Sequence, residues 1–108
     1  MAGKKFDGLN PSDGVPVKLR YDLIPPEIIE QLARIYTYGV RKYGENTWQD
    51  VPDGKNRYYS ALWRHLQDYR KGENVDPDSK ELHLSHALWN LGTLVWLELE
   101  KQVKENKD

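Results

Sequence analysis

The sequence predicts an all-α protein, a helical bundle completed by oligomerisation and preceded by an irregular N-terminal arm. Three observations predict it. Three segments carry apolar residues at 3–4 spacing, which is the helical period. No β-hairpin signal, internal repeat or glycine-rich phosphate motif interrupts them. The last segment is apolar on nearly all sides, more surface than three helices can hide among themselves, and pairing across a two-fold axis would bury it. At 108 residues the chain reads as one domain, with residues 1–21 as the arm and 22–103 as the helical core.

The arm is rich in glycine and proline, and Asn10-Pro11-Ser12-Asp13-Gly14 is a strong turn signal. A short extended piece is expected over 15–21. The first helix should start near Pro25-Pro26-Glu27, because proline suits a first turn and a carboxylate there complements the helix dipole. Ile28, Leu32, Ile35 and Tyr36 or Gly39 continue its stripe, and Gly44 is the expected stop. A Gly/Asp/Pro/Asn-rich loop covers about 45–56. The second helix is expected from Arg57 to Lys71, closing at Gly72, with Tyr58, Leu62, Leu66 and Tyr69 as its stripe and Ala61 and His65 adjoining. Asp76-Pro77-Asp78-Ser79 reads as a turn, with Asp78 or Ser79 capping a third helix that runs to about Val103. Leu84, Leu88, Leu91, Val95 and Leu99 form its seam, and Gly92 permits close helix approach.

Composition narrows the function classes. Hydrophobic residues make up 38% and charged residues 31%, too apolar a mixture for a disordered chain. The absence of cysteine excludes disulfides and zinc-thiolate sites, so metals can be held only through His, Asp, Glu or Asn. A formal net charge of −1 argues against non-specific nucleic-acid binding. No membrane-spanning run or signal-type apolar region is visible, and a cytoplasmic protein is expected.

Chemistry concentrates in His83-Leu84-Ser85-His86-Ala87-Leu88-Trp89-Asn90, which holds two of the three histidines. On a helix, His86 lies about 60° from His83 and Asn90 about 20° from it. A polar stripe on an otherwise apolar helix needs hydrogen-bond partners, a metal or a ligand. The second helix offers Arg57 and Arg64 on one face and the neighbours His65 and Asp68. If these two helices pack antiparallel, His65 and Asp68 approach His83, His86 and Asn90. Such a cluster can ligate a divalent ion, imidazole shifting the preference from Mg²⁺ toward Mn²⁺, Zn²⁺ or Fe²⁺. A buried network, with Asp68 or Asp76 satisfying the histidines, is an equally open reading. Glu27 and Glu30 form another acidic pair, of the kind common in a helix's first turns. Around the first helix, Lys18 and Arg20 precede it, while Arg41, Lys42, Tyr43, Asn46 and Trp48 follow. The latter set combines cations, aromatic planes and an amide, which suits phosphate and base recognition. Trp48 can equally anchor its loop against the core.

Five short motifs in order carry a family resemblance: Lys18-Leu19-Arg20-Tyr21-Asp22-Leu23-Ile24-Pro25-Pro26, Arg41-Lys42-Tyr43-Gly44-Glu45-Asn46, Arg64-His65-Leu66, Asp76-Pro77-Asp78-Ser79, and His83-Leu84-x-His86-Ala87-x-x-Asn90. Over residues 5–100 the chain resembles the phage-associated dATP/dGTP diphosphohydrolase N-terminal domain family, related to MazG-like all-α nucleotide pyrophosphatases. The resemblance implies a homo-oligomer, dimer or tetramer, that binds a purine (deoxy)nucleoside triphosphate. It implies hydrolysis between the α and β phosphates, releasing monophosphate and pyrophosphate, in the host cytoplasm if the gene is a phage's. A divalent ion, Mg²⁺ or Mn²⁺, would be held by Asp68, His83 and His86, with Asp68, His65 and His83 as catalytic residues. Lys18, Arg20, Lys42 and Arg64 would meet the phosphates, and Tyr43, Asn46, Trp48 and Asn90 the rest of the nucleotide. The MazG-like relatives use Glu-x-x-Glu and Glu-x-x-Asp pairs, where this chain has His65-x-x-Asp68 and His83-x-x-His86. Imidazole in place of carboxylate keeps an alternative open, a non-catalytic binder that sequesters nucleotides or cyclic nucleotide signals of a host defence. A third class is a helical structural partner in which the polar stripe only fixes core packing.

Overall fold

A computed structural model describes residues 17–105 of the chain. Most of the expected arm therefore lies outside the described residues. Residues 17–20 have no regular structure, and Tyr21–Leu23 form a single 3-10 turn rather than the end of an extended piece.

Three helices make up the described fold: α1 (Pro26–Tyr43), α2 (Gly54–Arg70) and α3 (His83–Glu105). Among the described residues the β structure is limited to an isolated bridge between Val75 and Leu82. The helix α1 begins on Pro26 after Pro25 and stops at Gly44, whose φ of 93° lies in the region open to glycine. The loop that follows contains a second 3-10 turn, Thr47–Asp50. Helix α2 starts three residues earlier than the apolar pattern indicates, since Gly54, Lys55 and Asn56 extend it beyond the first core position at Tyr58.

The end of α2 matters for the site. Gly72, at φ 103°, closes the helix with paired bonds from its own amide to the Tyr69 carbonyl (2.9 Å) and from the Glu73 amide to the Asp68 carbonyl (3.0 Å). This is the Schellman arrangement, in which a left-handed residue satisfies the last helical carbonyls. The chain then folds back on itself: the Asp76 amide donates to the Glu81 carbonyl (2.8 Å) and the His83 amide to the Asn74 carbonyl (2.9 Å). As a result α3 starts at His83, four residues later than the Ser79 cap expected from sequence. Ser79 and Asp76 instead bond within the turn, through Ser79 Oγ donating to Asp76 Oδ2 at 3.2 Å.

The most extensive packing is α2 against α3, with α1 also packed on α3. Two polar links fasten α1: Arg34 makes a two-pronged ion pair with Glu81 (2.7 and 3.0 Å), and the Ser85 hydroxyl donates to Gln31 (2.7 Å). At one end of the bundle Tyr36, Trp48, Tyr58, Trp89 and Trp96 interlock edge to face, with centroid separations from 4.9 to 6.2 Å. Edge-to-face geometry places a positive ring edge on a negative ring face, which adds to the burial of large apolar area. The Tyr58 hydroxyl also donates to the Trp48 carbonyl at 2.6 Å, tying the 45–53 loop to α2.

The inward face of α3 is the polar one. His83, Ser85, His86, Ala87, Asn90 and Thr93 are buried. In contrast Leu84, Leu91, Val95 and Leu99, most of the seam expected to pack, are between 42% and 52% exposed. On α2, Tyr58 is buried and Tyr69 is exposed, which rotates the packed stripe toward His65.

Candidate functional site

All three histidines of the chain meet where α2, the fold-back loop and α3 converge. His65 comes from the middle of α2, while His83 and His86 stand on the first turn of α3. The His65 and His83 Nδ1 atoms lie 2.9 Å apart, and His83 Nε2 lies 2.7 Å from Glu73 Oε1. His86 stacks on His65 with centroids 4.5 Å apart and planes 6° from parallel. Its Nε2 is 2.7 Å from Ser79 Oγ and 3.5 Å from Asp76 Oδ2.

These contacts assign the ring protons. The Glu73 carboxylate only accepts, so His83 Nε2 carries a hydrogen, and with that ring neutral its Nδ1 accepts. His65 Nδ1 must then donate, which leaves His65 Nε2 unprotonated. Ser79 donates to Asp76, and so His86 Nε2–H donates to Ser79. Asp76 is further held by the Asp78 amide at 3.0 Å. Although burial works the other way, these two bonds, with His86 and His65 nearby, bring the Asp76 carboxyl below its ordinary range.

His65 and His86 favour the neutral imidazole. Burial, followed by the adjoining His86 and His83, pushes the His65 pKa down to about 4 against the pull of Asp76. Burial lowers His86 as well, partly offset by Asp76. Both groups are therefore easier to protonate in the unfolded chain. Their contribution to stability is complete above the unfolded value near 6.5 and is lost as pH falls from there toward 4. Thermal unfolding should be level between pH 8 and 7 and should fall by several degrees between pH 6.5 and 4. A transition temperature that holds steady across that lower range would contradict neutral rings at His65 and His86.

Among the described residues, two groups of side chains have the donor atoms to hold a cation: His65, Asp76 and His86, and Asp68, Glu73 and His83, with donors in each group within 4.8 Å of one another. The ligands expected from sequence, Asp68, His83 and His86, are divided between them. Asn90 is buried beside the cluster and donates to the His86 carbonyl at 2.8 Å. Lys42 connects to it through Tyr38, whose hydroxyl is 3.4 Å from Lys42 Nζ and whose ring meets His86 edge-on. The Lys42 ammonium also sits 5.2 Å from the Tyr43 ring centroid. Arg64 and Asp68 share a surface groove of about 350 Å³ with Trp63 and Lys71. The remaining expected residues are placed otherwise. Arg20 is ion-paired with Asp22 at 2.8 Å, Lys18 is exposed in the segment before it, and Asn46 adopts a left-handed conformation ahead of the 3-10 turn. Trp48 is seated in the aromatic cluster, the loop-anchor role.

Sequence reasoning missed Glu73 and Tyr38. Glu73 directly follows Gly72, and a glycine closing a helix brings the next residue back over the last turn, so the signal was present. Nothing in the spacing around Tyr38 distinguished it from Tyr36.

Fold and site together define an all-α protein whose second and third helices enclose a histidine–carboxylate centre. Residues 14–107 match the family model described as dATP/dGTP diphosphohydrolase, N-terminal, and the chain belongs to that family. It is also similar to a protein of Salmonella phage PMBT28 named dATP/dGTP diphosphohydrolase, 31% identical over 97 residues. That match covers 90% of this chain and 30% of the relative, so the chain spans less than a third of the length of the curated relative it matches. No solved structure matches it. Among the described residues, no helix is long and apolar enough to cross a membrane.

Proposed function

We propose that this chain binds a purine (deoxy)nucleoside triphosphate at the α2–α3 cluster and hydrolyses it between the α and β phosphates, releasing monophosphate and pyrophosphate. One observation carries the reading: in a chain of the dATP/dGTP diphosphohydrolase N-terminal family, histidines and carboxylates converge beside a groove that holds Arg64 and Lys71. In this reading Asp68 and His83 hold a divalent ion, Mg²⁺ or Mn²⁺, whose charge offsets that of the phosphates. Arg64 and Lys42 neutralise phosphate oxygens where charge rearranges in the transition state. A carboxylate or neutral imidazole of the cluster accepts the proton of the attacking water. Tyr43 offers an exposed ring to the base.

The second reading is sequestration of a nucleotide or a cyclic nucleotide signal without turnover. The histidine network supports it, because Glu73 and Ser79 already bond His83 and His86. Incubation with the eight common NTPs and dNTPs under Mg²⁺ and then Mn²⁺, followed by ion-exchange chromatography, separates the two. Monophosphate and pyrophosphate in equal amounts are expected. Stoichiometric retention of intact nucleotide would overturn hydrolysis.

The active form in this proposal is a homo-oligomer, dimer or tetramer, acting in the cytoplasm of an infected host. The exposed seam of Leu84, Leu91, Val95 and Leu99 supports it, as does Gly92, where an added Cβ would meet nothing within 4 Å. Leu91→Lys should convert the assembly to monomers in sedimentation equilibrium with helix content retained, and an unchanged mass would rule out this face.

A further inference from the structure

We infer that Asp68, Glu73 and His83 form the binding site for one divalent cation of borderline softness, Mn²⁺ or Zn²⁺ in preference to Mg²⁺, and that its occupation reverses the proton order along His83 and His65. The site deepens the nucleotide reading above, on which its purpose rests, while its geometry stands separately.

Of the two donor groups, only this one is arranged to converge. In the other, the His65 and His86 rings are within 6° of parallel. Ring-nitrogen lone pairs lie in the ring planes, so those of two stacked rings cannot meet on one ion. Asp76 is also engaged by Ser79 and the Asp78 amide. In the Asp68, Glu73 and His83 group the His83 ring is 2% exposed, whereas the Glu73 side chain is 51% exposed, so a buried imidazole faces a carboxylate at the protein surface. His83 Nε2 and Glu73 Oε1 are 2.7 Å apart. Ligands about 2.0–2.2 Å from a common ion lie roughly 2.9–3.5 Å apart, so side-chain rotation is enough to admit one. The Schellman turn holds Glu73 over Asp68 through the Glu73 amide and the Asp68 carbonyl, and Asp68 also lines the groove of Arg64 and Lys71. An ion here would face any phosphate lying in that groove.

The ion class follows from the donor set. One imidazole and two carboxylates favour Mn²⁺, Fe²⁺ or Zn²⁺, whereas Mg²⁺ prefers oxygen alone. Three protein ligands leave positions for water or phosphate. A ligating ring nitrogen donates its other N–H to a fixed acceptor. With the ion on Nε2, the His83 proton sits on Nδ1 and donates to His65 Nδ1, and His65 then carries its own proton on Nε2. Glu73 sets the opposite order when its carboxylate accepts from His83.

Titration of the folded chain with Mn²⁺, read by electron paramagnetic resonance, tests the site. One ion per chain is expected, with imidazole nitrogen modulation in the pulsed spectrum. Asp68→Asn and Glu73→Gln should each weaken binding at least about tenfold, Zn²⁺ should displace Mn²⁺ at lower concentration than Mg²⁺ does, and Asp76→Asn should leave binding in place. Long-range ¹H–¹⁵N spectra with Zn²⁺ should show the His83 and His65 protons exchanging nitrogens. No stoichiometric binding, no nitrogen modulation, or binding indifferent to both carboxylate variants would each overturn the site. Ion binding without turnover of any nucleotide defeats hydrolysis but leaves the site standing. Turnover without stoichiometric ion binding defeats the site but leaves hydrolysis standing.

Discussion

Asp68→Asn is expected to lower hydrolysis of dGTP or dATP by about 10³-fold, roughly 4 kcal/mol of transition-state stabilisation, while leaving the fold intact. Asp68 is half-buried near the last turn of α2. Asparagine keeps its shape, and removing a negative charge near a helix C-terminus slightly favours the helix. Nucleotide retention should persist because Arg64 and Lys42 are untouched. Steady-state kinetics alongside thermal unfolding separates the outcomes. Loss of turnover at constant stability fits a role for the carboxylate in the reaction, whereas unfolding would assign Asp68 to the network that holds α2 and α3 together.

Trp89→Ala should cost about 3–5 kcal/mol in denaturant unfolding, a large share of the roughly 5–15 kcal/mol that stabilises a small domain. Trp89 touches Tyr36, Trp48 and Tyr58 at 5.5 to 6.2 Å between centroids, so its removal opens a cavity shared by α1, the 45–53 loop, α2 and α3. Because the buried Trp89 Nε1 has no partner among the described residues, Trp89→Phe gives up no hydrogen bond and should cost much less than the alanine change. A loss below about 1 kcal/mol for alanine would show that the aromatic cluster is not the main core.

Much of this architecture is legible in the residues. Pro26 and Gly44 bound α1 because each has a backbone preference that acts locally. Gly72 ends α2 for the same reason. The His83, His86 and Asn90 stripe is visible from the helical period, and its approach to His65 follows from antiparallel packing. What the period cannot reveal is which side of a helix apolar on nearly all sides faces inward. Leu84, Leu91, Val95 and Leu99 form the more regular seam, yet α3 buries His83, Asn90 and Thr93. The partners waiting there, Glu73 and Ser79, are positioned by a Schellman turn and a fold-back loop, so their contribution depends on three-dimensional closure. Asp76 was legible as a candidate partner of the histidines, though its bonds to Ser79 and the Asp78 amide also displaced the expected start of α3. Trp48 had two possible roles until the loop's path set it against Trp96 and Trp89.

Backbone ¹H–¹⁵N spectra of the labelled chain, recorded during titration with dGTP and dATP in the presence of Mg²⁺ or Zn²⁺, show whether a purine nucleotide engages the α2–α3 cluster. Saturable shifts are predicted at Arg64, His65, Asp68, Glu73 and His83, with smaller ones at Lys42. Shifts confined to residues 17–24 and 45–50, with the cluster silent, or no shifts with any purine triphosphate, would contradict that engagement.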